Sequence, residues 1–282
     1  LMFNNEVPHR VNIGERIAYP LSSDDACLSM VSSDDAMLQM SMKFYHQELL
    51  QSVDAIEFLK NRAIYSDNVI EHFNLGYSNR RLGLELQKLS KNDEEISRGA
   101  LQRLGLLKST GHELFYGAVT FPLLNQQGHI VSCYGRRITT ESKPRKIYHR
   151  HWYSDGIGFF NCTALKDNEQ LIYCKNPIDA LSWWVNGFTH AISTIGSSDF
   201  NEQHAKLLKD NGIKTIYLAM GTTKNTLIEA RRIARLLKKK RIAVMLVLYP
   251  NGFDANSFII QEINPKDELQ QLLNSSHRYM VN

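Results

Sequence analysis

The strongest constraint on this chain is a regular alternation in its last third. Short apolar runs of strand length exchange with segments of helix length. Gln170–Cys174, His190–Thr194, Lys214–Met220 and Ile242–Leu248 are the apolar runs. Between them lie Pro177–Asn186, Asn201–Asp210 and Asn225–Lys240. In the last of these, Leu227, Ala230, Ala234 and Leu237 recur at three- and four-residue spacing, as one helix face requires. Strands that alternate with helices need crossover connections, so the segment predicts an α/β domain with a mainly parallel sheet flanked by helices. Ligands of such sheets bind beyond the carboxyl ends of the strands. Those ends are Lys175-Asn176, Gly196-Ser197-Ser198, Gly221-Thr222-Thr223 and Asn251-Gly252-Phe253-Asp254.

The upstream part reads differently. Residues 1–35 are polar, with Ser-Ser-Asp-Asp at 22–25 and again at 32–35. The second copy predicts a helix start, with Met37, Leu38, Met40 and Met42 following and the helix running to about Leu50. Ser52 and Ser66 predict two more helix starts, and Gly76 a helix stop. From residue 114 the apolar period becomes two, which predicts two strands joined by a turn at Asn125–Gly128. The expected organisation is an irregular segment 1–35, a mixed α+β subdomain 36–168, the parallel-sheet domain 169–262 and a short helical tail 263–282.

An apolar fraction of 43% and a charged fraction of 22% exclude wholesale disorder. The longest apolar stretch, Ile242–Leu248, is far short of the roughly 20 residues of a membrane helix. The first residues lack an apolar core of signal-peptide type. A cytoplasmic location without a membrane partner is therefore expected. Cys27, Cys133, Cys162 and Cys174 form no Cys-x-x-Cys pair, so free thiols are expected rather than a zinc ribbon. His149 and His151 have no cysteine or carboxylate at ligand spacing, and no metal is expected there.

The net charge of +4 is too mild to identify a partner, but its distribution is uneven. Between His129 and His151 six basic residues (Arg136, Arg137, Lys143, Arg145, Lys146, Arg150) face one acid, Glu141. A second run places seven Lys or Arg among the eleven residues from Arg231 to Arg241. The first cluster predicts a basic groove for a nucleic-acid backbone, with Tyr148 or Trp152 to stack on a base. The second reads as a solvated helix face.

The segment LIYCKNPIDALSWWVNGFTHAISTIGSSDF, with EARRIARLLKKKRIAVMLVLYPNGFDANSFI, resembles the Toprim domain of bacterial DnaG-type DNA primases. FLKNRAIYSDNVIEHFNLGYS, ALQRLGLL and AVTFPLLNQQGHIVSCYGRR are similar, in the same order, to segments of the primase core that precede it. The resemblance spans about residues 40–262. It implies a Toprim-type fold preceded by a primase-like α+β subdomain, a place in DNA replication or in a mobile element, and a single-stranded DNA or RNA partner. It also implies an active site in which a Glu and an Asp-x-Asp bind Mg²⁺ for nucleotidyl transfer. This chain departs at those positions: Lys175 stands for the Glu, Met220 and Thr222 for the two Asp, and Asn176 for the following Gly. Of the acidic set Asp179 and Asp254 remain. A thioether and an ammonium are poor neighbours for Mg²⁺. Neither a zinc-binding domain nor a helicase-interaction domain is expected.

The resulting expectation is a catalytically degenerate primase core. No metal or other cofactor is expected, and Arg136, Arg137, Lys143, Arg145, Lys146, Tyr148, Arg150 and Lys175 bind nucleic acid. A protein-interaction scaffold, using the Met-rich first helix or Trp183-Trp184 toward a replication or mobile-element protein, is the second reading. An active primase that relocates its ligands to Asp179, Asp199, Glu229 and Asp254 is the third.

Overall fold

The computed structural model describes residues 34–138 and 148–279. In chain order the elements are α1 (Asp34–Gln51), α2 (Val53–Lys60), α3 (Asp67–His72), β1 (Gly76–Ser78), α4 (Leu82–Leu86), α5 (Lys91–Arg103), β2 (Ala118–Leu124), β3 (Ile130–Arg137) and β4 (His149–Tyr153). There follow β5 (Gln170–Cys174), α6 (Pro177–Trp184), β6 (Ala191–Ser193), α7 (Glu202–Asp210), β7 (Thr215–Ala219), α8 (Lys224–Lys239), β8 (Ala243–Leu246), α9 (Ala255–Ile259), α10 (Pro265–Asn274) and β9 (His277–Arg278).

Side-chain caps set most helix starts. Ser52 accepts from the Ala55 amide and Ser66 from the Val69 amide, each satisfying a donor that the helix itself leaves free. Asn176, Asn201, Thr223 and Asp254 do the same for α6, α7, α8 and α9. Strand formation follows apolar content: all seven residues of β2 are buried.

The first sheet has the order β1-β2-β3-β4 and is antiparallel throughout. The second has the order β6-β5-β7-β8-β9, with the first four strands parallel. The chain steps from β5 outward to β6, then returns across β5 to β7 and continues to β8. The crevice where the winding direction changes lies between β5 and β7. The apolar cores cross from sheet to sheet: Val119, Phe121 and Tyr134 of the first pack in one cluster with Phe160, Ile172 and Trp183.

Three expectations need correction. Gly76 does not stop a helix. The helix ends at His72, and Gly76 opens β1, because a Cβ there would stand 2.7 Å from both Tyr45 Cβ and Thr120 Oγ1. The tail beyond 262 is not simply helical: after α10, β9 adds antiparallel to β8, pairing Arg278 with Met245. The Trp183-Trp184 pair offers no free ring. Trp183 is fully buried and donates to the Tyr249 hydroxyl at 2.7 Å, while Trp184 packs against His72 and Phe73 with ring centroids 5.4 and 5.3 Å away. Met37 and Met42 are likewise core residues, and Met30 lies outside the described residues. Cys133, Cys162 and Cys174 are buried free thiols, and Cys27 lies outside the described residues.

Candidate nucleic-acid interface

Lys175 follows β5 and Met220 follows β7. Cys174 pairs with Ala219, so positions 175 and 220 leave adjacent parallel strands side by side. Each side chain there has partners of its own. Met220 is fully buried, in the apolar cluster that includes Phe200, Ala230 and Ile233. The Thr222 hydroxyl donates to the Tyr249 carbonyl at 3.2 Å.

Lys175 is held by two acids. Its Nζ donates to Asp254 Oδ2 at 2.6 Å and lies 3.7 Å from Asp179 Oδ2. Each carboxylate is fixed by its own helix start. Asp179, in the first turn of α6, is 1% exposed, accepts from the Asn256 amide at 3.2 Å and from Asn176 Nδ2 at 2.9 Å. Asp254 caps α9, and its Oδ1 accepts from Ser257 N and Oγ at 3.0 and 2.6 Å. Burial pushes Asp179 up to about 6 although the Lys175 ammonium opposes it. Burial also acts to raise Asp254, but Lys175 and the Ser257 hydrogen bonds outweigh it and hold that carboxyl at about 2. Lys175 loses hydration, and the two carboxylates more than restore its proton affinity, so its pKa is raised.

Arg62, just beyond α2, joins this cluster. It donates to Asn256 Oδ1 at 2.8 Å and accepts at its own carbonyl from Asn256 Nδ2 at 2.9 Å. Its guanidinium lies 4.8 Å from the Phe58 ring, and its Nε is buried without an acceptor. Burial, then Arg136, lowers its pKa, while Asp254 and Asp179 pull the other way. Nothing in FLKNRAIYS marks this arginine, because its partner is 194 residues away.

Arg136 faces the same cleft. Its partner across the ladder is His149, and its guanidinium donates to His149 Nε2 at 2.6 Å. Since Nε2 accepts, the neutral ring carries its proton on Nδ1 and donates it to the Tyr134 hydroxyl, 2.9 Å away. Partial burial first, then the positive charge of Arg136, His151, Lys175 and Arg62, pushes His149 down to about 4. Tyr148 is 39% exposed, with the Arg136 guanidinium 5.8 Å from its ring.

The expected single basic groove is divided. Strand side chains alternate between faces. Arg136, Tyr134, His149 and His151 share the cleft face, whereas Arg137 and Arg150 belong to the opposite face. Trp152, also opposite, is 6% exposed and donates to the Leu104 carbonyl, so it is not available to stack on a base. Lys143, Arg145 and Lys146 lie outside the described residues. In the second basic run, Arg232 is not merely solvated. It pairs with Glu229 at 2.9 Å and donates to the carbonyls of Phe200 and Ser197, tying α8 to the segment after β6. Asp199 accepts from the Tyr153 hydroxyl at 3.1 Å.

The cleft therefore presents the cations of Arg62, Arg136 and Lys175 above two acids that are already paired. Such a surface suits phosphate oxygens. Among the described residues no three of His, Cys, Asp and Glu converge as a metal-ligand set, and no helix is long and apolar enough to cross a membrane.

Residues 44–149 match the DNA primase catalytic core, N-terminal domain, and residues 172–259 match the Toprim-like domain. The DNA primase of Aquifex aeolicus is 26% identical over 261 residues, which cover 88% of this chain and 51% of that primase. The DNA primase of Halalkalibacterium halodurans is 25% identical over 237 residues, 78% of this chain and 38% of that protein. The chain thus spans about half, or less, of the length of these relatives. Among solved structures, the zinc-binding and RNA polymerase domains of the Aquifex aeolicus primase superpose with a TM-score of 0.73 at 23% identity, covering 87% of this chain and 61% of that one. The DnaG primase catalytic domain bound to single-stranded DNA superposes at 0.70 and 17% identity, covering 87% and 79%.

Proposed function

By fold and domain order the chain belongs to the DnaG-type primase catalytic cores, and we propose that it holds a single-stranded nucleic acid in a replication or mobile-element setting without metal-dependent primer synthesis. The observation that supports this reading most is the Lys175 ammonium, seated 2.6 Å from Asp254 and 3.7 Å from Asp179. It occupies the position at which the resemblance implies a metal-binding Glu. The donor set does not fit Mg²⁺. That ion needs oxygen ligands and several carboxylates or waters. Here one carboxylate is buried and partly protonated near pH 6, the other is neutralised by an ammonium, and Met220 offers a buried thioether.

Binding needs none of the lost carboxylates. Arg136 and Arg62 supply positive charge beside the Lys175–Asp254 pair, where the strand ends open, and each phosphate they neutralise releases counterions. His149, neutral at pH 7, orients the Arg136 guanidinium rather than adding charge. Tyr148 offers a ring for a base. The single-stranded DNA held by the similar primase catalytic domain agrees with this partner class.

A priming assay beside a binding assay tests the reading. Labelled primers should be absent with Mg²⁺ or Mn²⁺. Affinity for a single-stranded oligonucleotide should fall steeply with salt and weaken in Arg136→Ala. Primers made by the unaltered chain and lost in Asp254→Ala would replace this reading with an active primase.

A further inference from the structure

The basic run at 231–241 lies mostly on α8, and only part of it is engaged within the fold. On the inner face of α8, Ala230, Ile233, Ala234 and Leu237 pack with Ile216, Leu218 and Val244 of the second sheet. Arg232 pairs with Glu229, and Lys240 with Glu202 at 3.5 Å. Arg231, Arg235 and Lys239 are exposed. Among the described residues no carboxylate lies within ion-pair distance of these three. They follow one another at four-residue intervals, so they form one row along the helix, with about 6 Å between neighbours. Ile228 lies on the same face, three residues before Arg231 and seven before Arg235, and is 51% exposed.

Like charges at this spacing repel and weaken a helix. Glu229 is the one acid of α8, and Arg232 already holds it. An anion from outside the fold would relieve the row. Its place argues against the cleft ligand. α8 starts where β7 ends, beside Lys175 and Met220, and runs back to the opposite end of the parallel strands, where β8 begins. Single strands are held by aromatic rings as well as cations. α8 carries no aromatic residue and exposes an aliphatic one instead. Carboxylates four residues apart on a helix repeat at about 6 Å, and those at alternate strand positions at about 6.6 Å. Either spacing matches the row.

We infer that Ile228, Arg231, Arg235 and Lys239 form a docking face for an acidic segment of a partner protein. Its carboxylates meet the basic row, and an apolar side chain at one end covers Ile228. This face lies outside the cleft, and the inference stands whether or not the cleft holds nucleic acid.

The test uses the full chain and two labelled glutamate-rich peptides, one with a leucine before its acidic residues and one without. Binding is followed by fluorescence anisotropy at low salt. The unaltered chain should bind both, and more weakly as salt rises, because exposed charges are screened. Arg231→Ala/Arg235→Ala should lose affinity for both peptides by about fivefold or more. Lys43→Ala/Lys91→Ala removes two exposed charges from other helices and should bind as the unaltered chain does. Ile228→Ser keeps every charge. It should weaken the leucine peptide by about threefold and leave the other unchanged, which covers the case in which the arginine variant fails to fold. Equal losses in the two charge variants would mean attraction by net charge alone and overturn the inference. So would failure of the unaltered chain to bind either peptide. Loss of oligonucleotide affinity in Arg231→Ala/Arg235→Ala, with peptide binding intact, would overturn it in favour of a nucleic-acid contact on α8.

Discussion

Lys175 and its two carboxylates make a small site with opposed titrations. Asp254 has its folded pKa depressed to about 2, against an ordinary value near 3.8. Its contribution to stability is present above the ordinary value and is lost as pH falls toward 2. Asp179 behaves in the opposite sense. Burial raises its folded value to about 6, so its contribution is complete below about 3.9 and is lost as pH rises through 6. Stability should therefore decline between about pH 4 and 7 through Asp179, by up to about 3 kcal/mol. Asp179→Asn keeps the shape and removes the titration, so its denaturation midpoint should lack that decline. Parallel pH profiles for the two proteins would refute the assignment.

Among the elements, α1 and β1 are joined by a close approach rather than by a charge or a cap. Gly76 faces Tyr45 and Thr120 so closely that a methyl group would overlap both. Gly76→Ala should push α1 from the sheet and cost about 1–3 kcal/mol, read as a lower thermal midpoint with the far-ultraviolet spectrum retained. An unchanged midpoint would show that the helix can move away without loss. The β3–β4 pair teaches a related lesson. A basic run in sequence becomes two surfaces in space, because a period of two sends Arg136 and Arg137 apart and buries Trp152 against α5.

For the whole molecule, the decisive relation is the parallel register of β5 and β7, which brings positions 175 and 220 together across 45 residues. Lys175→Glu, Met220→Asp and Thr222→Asp combined would gather three carboxylates beside Asp254. Like charges that close disfavour one another's ionised forms without a cation. The triple variant should lose stability in chelator and regain it with Mg²⁺, by about 2.7 kcal/mol when the ion is at 100 times its dissociation constant. The unaltered chain should be indifferent to Mg²⁺, and Lys175→Glu alone nearly so. Because Met220 is buried among apolar side chains, Met220→Asp alone should be the most damaging single change. A triple variant whose midpoint ignores Mg²⁺ would mean that the three side chains do not converge.

The alternation of apolar runs and helix-length segments determined the four parallel strands of the second sheet without help from the tertiary structure, whereas β9 was not foreseen. Local backbone chemistry, in the form of Ser, Asn and Asp caps and apolar period, decides such elements within a few residues of themselves. Ser52, Ser66 and Asn176 are examples. That positions 175, 220 and 222 carry Lys, Met and Thr was legible in the same way, since it is a matter of residue identity. What only the fold decided is who meets whom. Arg62 enters the cleft through Asn256, 194 residues distant. Arg80 and Arg137 meet at the Tyr116 ring through three paired strands. Lys175 takes Asp254, 79 residues away, as its partner. None of these leaves a local trace, because ion pairs and ring contacts depend on position in space, and sequence separation places no limit on that once crossover connections and strand register are formed.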